Sequence, residues 1–320
     1  MAHRNLGIGL YGRNGHQIQR RLIGHPQARL VAVAGIPADR VPPECGDVRR
    51  YDSLDALLDD TDVALVSLCS PRRADQAADA VRCLTAGRHV YAEKPAALTE
   101  ADLDAILATA GKTGMQFHEM AGTLVQQPYR RMRELIADGA VGTVVQVFAQ
   151  KCYPWYDRRP ADEAIDGGLA TQAGVYAARF VEHVAGVKLA SLQSVETTLG
   201  NPVPASQCRR AVSMMMALAN GGVASAVVNY LNPMRQRVWG YEILRVFGTD
   251  GIIESNADGD QARLLALDRE PEALDVSDGT LDYFDLFVRS LVDGEPMPLS
   301  LDDELSPTRW VIRAKKDPLP

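Results

Sequence analysis

The residues with the clearest chemical potential are Glu93-Lys94-Pro95, which directly follow the short apolar segment His89–Ala92. We expect that segment to be a strand of a parallel sheet, and in open α/β sheets ligands bind beyond the carboxyl ends of the strands. A lysine at that edge offers a fixed positive charge and up to three hydrogen-bond donors. Lys94 is therefore a candidate for orienting a substrate hydroxyl, while a surface lysine after an edge strand is the simpler interpretation.

A glutamine and a tyrosine form the second candidate site. Gln172 and Tyr176 lie four residues apart in a predicted helix, so their side chains share one face. A tyrosine with its ordinary pKa of about 10 is a poor base. A nearby ammonium such as that of Lys94 would stabilise the tyrosinate and make proton transfer feasible. The alternative is a buried tyrosine that is hydrogen-bonded at a domain interface.

A glycine-containing turn follows the first predicted strand and is a candidate for binding a dinucleotide. The fingerprint of such sites places glycines at positions equivalent to 12, 14 and 17, and only Gly12 matches. Asn14 tolerates the left-handed conformation that the turn needs, whereas Gln17 lacks the compactness of a third glycine. We expect a helix over 16–24 whose N-terminal N–H groups suit a pyrophosphate, with Arg13 adding a charge. An ordinary strand–helix turn is the alternative.

The end of the second predicted strand lacks the acidic residue that would bind the adenosine ribose. Gly35 stands near that position, and Arg40 could instead accommodate a 2′-phosphate. Both NAD and NADP therefore remain possible. The candidates for contacting either cofactor are Gly12, Arg13, Asn14, Gly15, Ser70, Pro71, Glu93 and Lys94.

Two further segments complete the set of candidate residues. Ser70 and Pro71 follow the most hydrophobic predicted strand and are expected to begin a helix as its N-cap and first-turn proline. His118 ends a predicted strand at the junction of two domains. It could contact substrate, or it could be a histidine satisfied within the core.

The elements that must position these residues fall into two parts. Predicted strands and helices alternate with short loops over residues 1–120, which indicates a doubly wound parallel sheet. Residues 121–320 begin with predicted helices over 127–137 and 170–185. Strands then dominate, and turns at Asn220-Gly221 and Thr249-Asp250-Gly251 indicate hairpins. The second domain is therefore predicted to be α+β with a mostly antiparallel sheet.

Composition excludes several classes of protein. The net charge is −7 over 320 residues and no basic stripe is present, which argues against a nucleic-acid partner. The five cysteines are widely spaced and form no Cys-x-x-Cys, so we expect neither a disulfide framework nor a zinc site. No His, Asp or Glu spacing indicates another metal. We see neither a signal peptide nor an apolar run of about 20 residues, and expect a cytoplasmic protein without a membrane contact.

Taken together, these segments resemble the glucose–fructose oxidoreductase/inositol dehydrogenase (Gfo/Idh/MocA) family, and the match spans most of the chain. Its most specific part is Glu93-Lys94-Pro95. The other segments that carry the resemblance are the 12–17 turn, Ser70-Pro71, the 86–90 segment, the Gly-Gly…Gly-Val-Tyr helix over 167–176, and Phe247-Gly248-Thr249-Asp250-Gly251.

The resemblance implies an N-terminal Rossmann domain and a C-terminal domain whose open sheet forms homodimers or homotetramers. It also implies hydride transfer between NAD or NADP and a sugar, polyol or related carbinol. Lys94 matches the family's lysine, and Tyr176 occupies the position of a histidine that some branches replace by tyrosine. Gln172 and Asp75 depart from the usual Asp and His.

The leading hypothesis is therefore an NAD(P)-dependent oxidoreductase acting on a sugar or polyol. Lys94 would polarise the reacting oxygen, Tyr176 would transfer the proton, and Gln172 would hold the substrate, with His118 as a further substrate contact. One alternative is a non-redox lyase or hydratase on the same scaffold. The other is a sugar-binding or regulatory protein that has lost catalysis.

Overall fold

A computed structural model describes residues 5–155, 159–203, 206, 208–236, 238–256 and 261–316. The chain divides into two compact units. The first unit contains the residues up to 121 together with 164–166 and 283–305, and the second contains 122–163, 167–282 and the residues from 306 onward. No helix within these described ranges is both long enough and apolar enough to cross a membrane.

The first unit is built on a parallel sheet of six strands in the order β3-β2-β1-β4-β5-β6. The strands are β1 (Leu6–Tyr11), β2 (Ala28–Ala34), β3 (Arg49–Tyr51), β4 (Leu65–Leu68), β5 (His89–Ala92) and β6 (Phe117–Glu119). Side chains are all buried on β4 and β6 and mostly buried on β1, β2 and β5, as expected for a parallel sheet covered on both faces, whereas the edge strand β3 is largely exposed. The predicted doubly wound Rossmann sheet is confirmed, and its strand order reverses between β1 and β4.

The helices that lie entirely in the first unit are α1 (Leu54–Leu58), α2 (Gln76–Thr85), α3 (Glu100–Thr113) and α8 (Tyr283–Val292). Among them, α1 and α3 begin at the capping residues that the sequence predicts. The hydroxyl of Ser53 accepts a hydrogen bond from the Ala56 N–H (3.1 Å), and that of Thr99 accepts one from the Asp102 N–H (3.1 Å). Each of these bonds satisfies an N–H that the first helical turn would otherwise leave open.

Two helix predictions in this unit are wrong. After β1 the described chain forms a short 3₁₀ helix, Gln19–Leu22, in place of the helix expected over 16–24. The Gln17 amide donates to the carbonyls of Tyr11, Gly12 and Ser67, and this competes with helix formation.

The other error concerns the start of α2. Ser70 donates its hydroxyl hydrogen to Asp79 (2.8 Å) and does not cap a helix. The chain passes through a 3₁₀ turn, Arg73–Asp75, before α2 begins at Gln76. The side chain of Ser70 is thus used to hold the carboxylate of Asp79, which lies within the helix.

The second unit is built on an eight-stranded sheet in the order β14-β13-β12-β11-β7-β10-β9-β8. The strands are β7 (Val144–Pro154), β8 (Leu189–Thr197), β9 (Ala211–Leu218), β10 (Val223–Asn232), β11 (Tyr241–Gly248), β12 (Gly251–Asn256), β13 (Gln261–Ala266) and β14 (Glu272–Ala273). β7 and β10 run parallel and the other pairs run antiparallel, which confirms the predicted sheet. Both predicted hairpin turns are present, between β9 and β10 and between β11 and β12.

The helix predicted over 170–185 is divided into shorter pieces. The remaining helices are α4 (Tyr129–Ala137), α5 (Glu163–Asp166), α6 (Gly168–Gln172), α7 (Gly174–Arg179) and α9 (Leu301–Lys316), and a π-helical turn, Phe180–Val184, continues α7. A Cβ on Gly174 would lie 2.2 Å from the Met214 Cε, so this glycine lets α7 approach β9 closely. α4, α6, α7, the π-helical turn and the later part of α9 cover one face of the sheet and bury the core of the unit.

Candidate functional site

Lys94 lies directly beyond the carboxyl end of β5, as the sequence predicts. Glu93 is 1% exposed and Lys94 is 4% exposed, and the Lys94–Pro95 peptide is cis. The Gln76 amide donates to the carbonyl oxygens of Glu93 (2.5 Å) and Pro95 (3.0 Å). This side chain of α2 therefore fixes the backbone on both sides of Lys94. A charged residue is rarely buried to this extent unless it is paired or functional.

The carboxylate of Glu93 supports the turn that follows β1. It accepts hydrogen bonds from the His16 backbone N–H, from the His16 Nδ1 (2.8 Å) and from the Lys94 backbone N–H (3.0 Å). Burial alone would raise the pKa of Glu93, but the hydrogen bond and charge of His16 and the charges of Lys94 and Arg73 lower it to about 2. Glu93 is therefore an anion at neutral pH.

The turn itself is held tightly on several sides. Gly12 has φ +69°, and a Cβ there would lie 2.1 Å from the Cys69 carbonyl oxygen. A Cβ on Gly15 would lie 2.3 Å from the Glu93 carboxylate. The Asn14 amide donates to the carbonyls of Pro71 (3.3 Å) and Ile165. The hydrogen bonds of Asn14 and Glu93 therefore stabilise the turn.

The cofactor candidates in this unit fall into two groups. Arg13 and Gly15 are exposed at the carboxyl edge of the sheet, so both are accessible to a phosphate. Ser70 is buried, and its hydroxyl makes a hydrogen bond with Asp79 inside the unit. Gly35 has φ +69°, and a Cβ there would come within 3.5 Å of the Gly12 backbone.

His118 is held by contacts within the first unit. Its Nδ1 lies 2.6 Å from the Glu304 Oε2, and its ring packs edge-on against Phe287 with the ring centroids 4.6 Å apart. The other oxygen of Glu304 accepts the Glu119 backbone N–H (2.6 Å). Only 6% of His118 is exposed. These contacts favour the structural interpretation of this histidine.

In the second unit, Gln172 and Tyr176 belong to the consecutive helices α6 and α7. The Gln172 Oε1 accepts a hydrogen bond from the Tyr230 hydroxyl (3.0 Å), which fixes the orientation of the amide. The Lys151 Nζ lies over the Tyr176 ring, 4.6 Å from its centroid. The Arg179 Cζ lies 5.7 Å from the same centroid. An ammonium thus does accompany Tyr176 within its own unit, and it is supplied by β7.

Lys151 belongs to a buried group of polar side chains. It forms an ion pair with Glu242, and Glu242 also accepts a hydrogen bond from the Tyr129 hydroxyl. Tyr153 makes a side-chain hydrogen bond with Tyr176. Burial, followed by the charge of Glu242 and the proximity of Tyr230, raises the pKa of Tyr153 well above its ordinary value. Tyr153 therefore stays protonated and can serve only as a hydrogen-bond partner.

Sequence reasoning missed Lys151, Tyr153 and Glu242, although β7 carries a usable signal. Side chains alternate between the faces of a strand, and Val147, Ala149 and Lys151 occupy one face. A lysine in line with two buried apolar residues points into the core, which is unusual unless it has a partner. The acidic partner lies on β11 and cannot be identified from the sequence of β7. Within the described residues, no group of three or more His, Cys, Asp or Glu could hold a metal ion.

Comparison with known proteins gives two family matches that together cover most of the chain. Residues 6–120 match the model described as "Oxidoreductase family, NAD-binding Rossmann fold". Residues 129–254 match the model described as "GFO/IDH/MocA C-terminal domain".

Three individual proteins illustrate the similarity. A dTDP-3,4-didehydro-2,6-dideoxy-alpha-D-glucose 3-reductase from Streptomyces violaceoruber is 31% identical over 58% of this chain and 56% of its own length. A myo-inositol 2-dehydrogenase from Thermotoga maritima is 21% identical over 86% of this chain and 84% of its own. The crystal structure of an aldose-aldose oxidoreductase from Caulobacter crescentus complexed with glycerol superposes with a TM-score of 0.80 at 22% identity, covering 98% of both chains.

These matches differ in what they establish. The chain spans little more than half the length of the 3-reductase that it matches. At 22% identity, the likeness to the solved structure concerns the fold alone.

Proposed function

Because the chain belongs to the GFO/IDH/MocA oxidoreductase family, with an NAD-binding Rossmann domain at residues 6–120, we propose that it transfers a hydride between NAD(P) and a sugar, polyol or related small carbinol. The observation that carries the proposal is Lys94, a lysine only 4% exposed at the carboxyl end of a strand in that domain. The names of the relatives, a sugar reductase and an inositol dehydrogenase, support this substrate class.

The residues around the first turn fit a nicotinamide dinucleotide. Arg13 is an exposed cation beside the glycines, and Gly12 and Gly35 keep side chains away from the backbone at the strand ends. These features suit the close approach of a pyrophosphate. Gly35 offers no carboxylate to a ribose, and Arg40 is exposed nearby, so NADP suits the site as well as NAD. The cofactor supplies the hydride acceptor or donor.

Lys94 supplies the positive charge for the reacting oxygen. When a carbinol is oxidised, its hydroxyl loses a proton and its oxygen gains negative charge before the carbonyl forms. A preorganised ammonium stabilises that charge and does not need to reorient during the reaction. The hydrogen bonds of Gln76 to the neighbouring carbonyls hold the Lys94 backbone in place.

Tyr176 is the proposed acid–base group, and Gln172 the proposed substrate-positioning group. Lys151 over the Tyr176 ring and the hydrogen bond with Tyr153 orient the phenol. Gln172 cannot titrate, so its amide, fixed by Tyr230, can orient a hydroxyl but cannot accept a proton. Of these two residues, only Tyr176 can therefore transfer a proton.

Two measurements test this proposal. Titration with NADH and with NADPH should show saturable binding of at least one, and failure of both to bind at millimolar concentration would refute it. With a substrate found in a panel of neutral and acidic sugars and polyols, Tyr176→Phe should lower kcat about 100-fold, the scale expected for a lost acid–base group. Tyr241→Phe, a half-buried tyrosine of β11 in the same unit, is the matched control and should leave kcat unchanged.

An unchanged kcat in Tyr176→Phe would remove Tyr176 from the mechanism. Product analysis separates hydride transfer from the lyase alternative, because a lyase would release product with no net change in the absorbance of the reduced cofactor. Binding of a sugar with no turnover of any kind would favour the regulatory alternative.

We further propose that copies of the chain associate through the open face of the second sheet. This face carries exposed apolar side chains on neighbouring strands, among them Met215 (67% exposed), Val223 (52%) and Val227 (36%). Helices cover the opposite face of the same sheet. A group of exposed apolar side chains on one face of a sheet is typical of an interaction surface, and a second copy with C₂ symmetry can cover it.

A further inference from the structure

The ends of three strands meet at one edge of the second sheet. Trp155 directly follows β7, Tyr230 lies near the end of β10, and Arg210 directly precedes β9. β10 pairs with both neighbours near this edge, with Asn229 opposite Ala211 and Asn232 opposite Pro154. The topology therefore gathers an arginine, a tryptophan and a tyrosine that are far apart in sequence.

Arg210 is a buried cation with unused donors. It is only 8% exposed, and its Nε and Nη1 are buried without a hydrogen-bond partner among the described residues. Its guanidinium lies against the Trp155 ring, with the Cζ 4.5 Å from the centroid. The indole Nε1–H of Trp155 is likewise buried without a partner in the described part of the chain. Three donors at one place therefore have no acceptor among the residues that the structure describes.

A second guanidinium lies close by. Arg159 is 9% exposed, its Cζ lies 3.4 Å from the Tyr230 ring centroid, and it donates to the Pro154 carbonyl (3.0 Å). Burial, together with the charge of Arg159, lowers the pKa of Arg210. Two like charges in a desolvated place destabilise each other, and a buried donor without an acceptor is costly as well. An anion placed between them would remove both penalties.

The arginine pair is connected to the residues proposed for chemistry in the same unit. The Tyr230 hydroxyl, beneath Arg159, donates to Gln172. The ring centroids of Trp155 and Tyr230 lie 6.3 Å apart, and those of Tyr153 and Tyr230 lie 6.4 Å apart. Tyr153 is in turn hydrogen-bonded with Tyr176. A continuous series of aromatic and hydrogen-bond contacts therefore links Arg210 to Gln172 and Tyr176.

We propose that Arg210, with Arg159 and the Trp155 indole N–H, binds the oxyanion of an acidic sugar, either a carboxylate or a phosphate ester. The inference rests on the proposed function for the identity of the rest of the substrate. A guanidinium and an N–H donor match the lone pairs of both anions. A role limited to stacking on Trp155 would not need a charged group with its Nε and Nη1 donors unused, since a neutral side chain could fill the same space.

The test measures binding to the full chain without cofactor, by titration calorimetry and by tryptophan fluorescence. The probes are a neutral hexose, the corresponding hexuronate and the corresponding hexose 6-phosphate. We expect at least one of the two charged sugars to bind about 10- to 100-fold more tightly than the neutral one, the range expected for charge-assisted hydrogen bonds. The charged sugar that binds more tightly identifies the anion.

Arg210→Met should abolish this preference and leave the affinity for the neutral hexose unchanged. Arg210→Lys keeps the charge but loses the planar fork, so it should retain only part of the preference. The matched control is Arg209→Met, which removes a charge from the neighbouring, half-exposed arginine and should keep the full preference.

Equal affinities for the three sugars would overturn the inference, as would an anion preference that survives in Arg210→Met. NADH titration of the same samples keeps this outcome separate from the proposed function. Protein that binds NADH but shows no anion preference contradicts only the arginine site. Protein that shows the preference but binds neither NADH nor NADPH contradicts only the oxidoreductase proposal.

Discussion

Replacing Glu93 with glutamine tests whether this carboxylate braces the turn after β1. The side chain is buried and accepts both a backbone and a side-chain hydrogen bond from His16. In Glu93→Gln, an amide N–H₂ or a neutral oxygen would face these donors. The substitution keeps the size of the side chain and removes its charge, so the effect reports on electrostatics and hydrogen bonding.

The size of the effect follows from the pKa of Glu93. The lowering of this pKa from 4.5 to about 2 corresponds to about 3 kcal/mol. Because the folded-state pKa is the lower one, the ionised carboxylate stabilises the fold fully above pH 4.5. That stabilisation is lost as the pH falls from about 4.5 toward 2. We expect Glu93→Gln to lower the free energy of unfolding by about 3 kcal/mol at pH 7 and by only about 1 kcal/mol at pH 3.

The assay is urea unfolding followed by far-UV circular dichroism at pH 7, 4 and 3. All three tryptophans, Trp155, Trp239 and Trp310, lie in the second unit, so parallel fluorescence curves identify the transition of that unit. Glu44→Gln, at an exposed glutamate of the first unit, is the matched control and should change little at any pH. A difference between Glu93→Gln and wild type that stays constant from pH 7 to pH 3 would refute the reasoning.

Two further substitutions test the turn and the open face of the second sheet. Gly12→Ala should destabilise the protein by about 2 kcal/mol or more in urea unfolding, because a left-handed φ (+69°) is combined with a Cβ that would meet a carbonyl oxygen. Gly24→Ala has nearly the same φ (+67°) but open space around its Cβ, so it should cost only about 1 kcal/mol, and equal costs would contradict the argument. Met215→Lys should shift the assembly toward monomer in light scattering, and a wild-type protein that is already monomeric would contradict the proposed association.

Local patterns predicted most of the architecture, because they reflect forces that act within a few residues. The caps at Ser53 and Thr99 and the hairpin turns depend on residues three or fewer positions apart, and each is present. The position of Lys94 at the end of β5 was likewise predicted from a local signal, the short apolar segment that precedes it. The helix predicted over 16–24 is absent because the Gln17 amide donates hydrogen bonds to carbonyls of β1 and β4. The spacing of apolar residues in the sequence cannot reveal hydrogen bonds of this kind.

Contacts between distant segments could not be predicted in this way. The ring centroids of Phe284, in α8, and Tyr91, in β5, lie 5.4 Å apart. A segment from late in the sequence therefore belongs to the first unit. The buried group around Lys151 needs Glu242, which pairs with it only because β11 lies beside β7. Arg210 carries no local signal at all, since its significance comes from the strand order that brings it to Trp155.

The central position of β7 has a consequence for how the protein is made. Its neighbours in the sheet are β10 and β11, which begin at Val223 and Tyr241, long after β7 ends at Pro154. While the ribosome extends the chain, both edges of β7 therefore stay open to pairing with other nascent strands until β10 and β11 emerge. Polypeptides that stop before residue 223 should be prone to aggregation and should depend on chaperones. In the full-length chain, β10 and β11 pair with the two edges of β7.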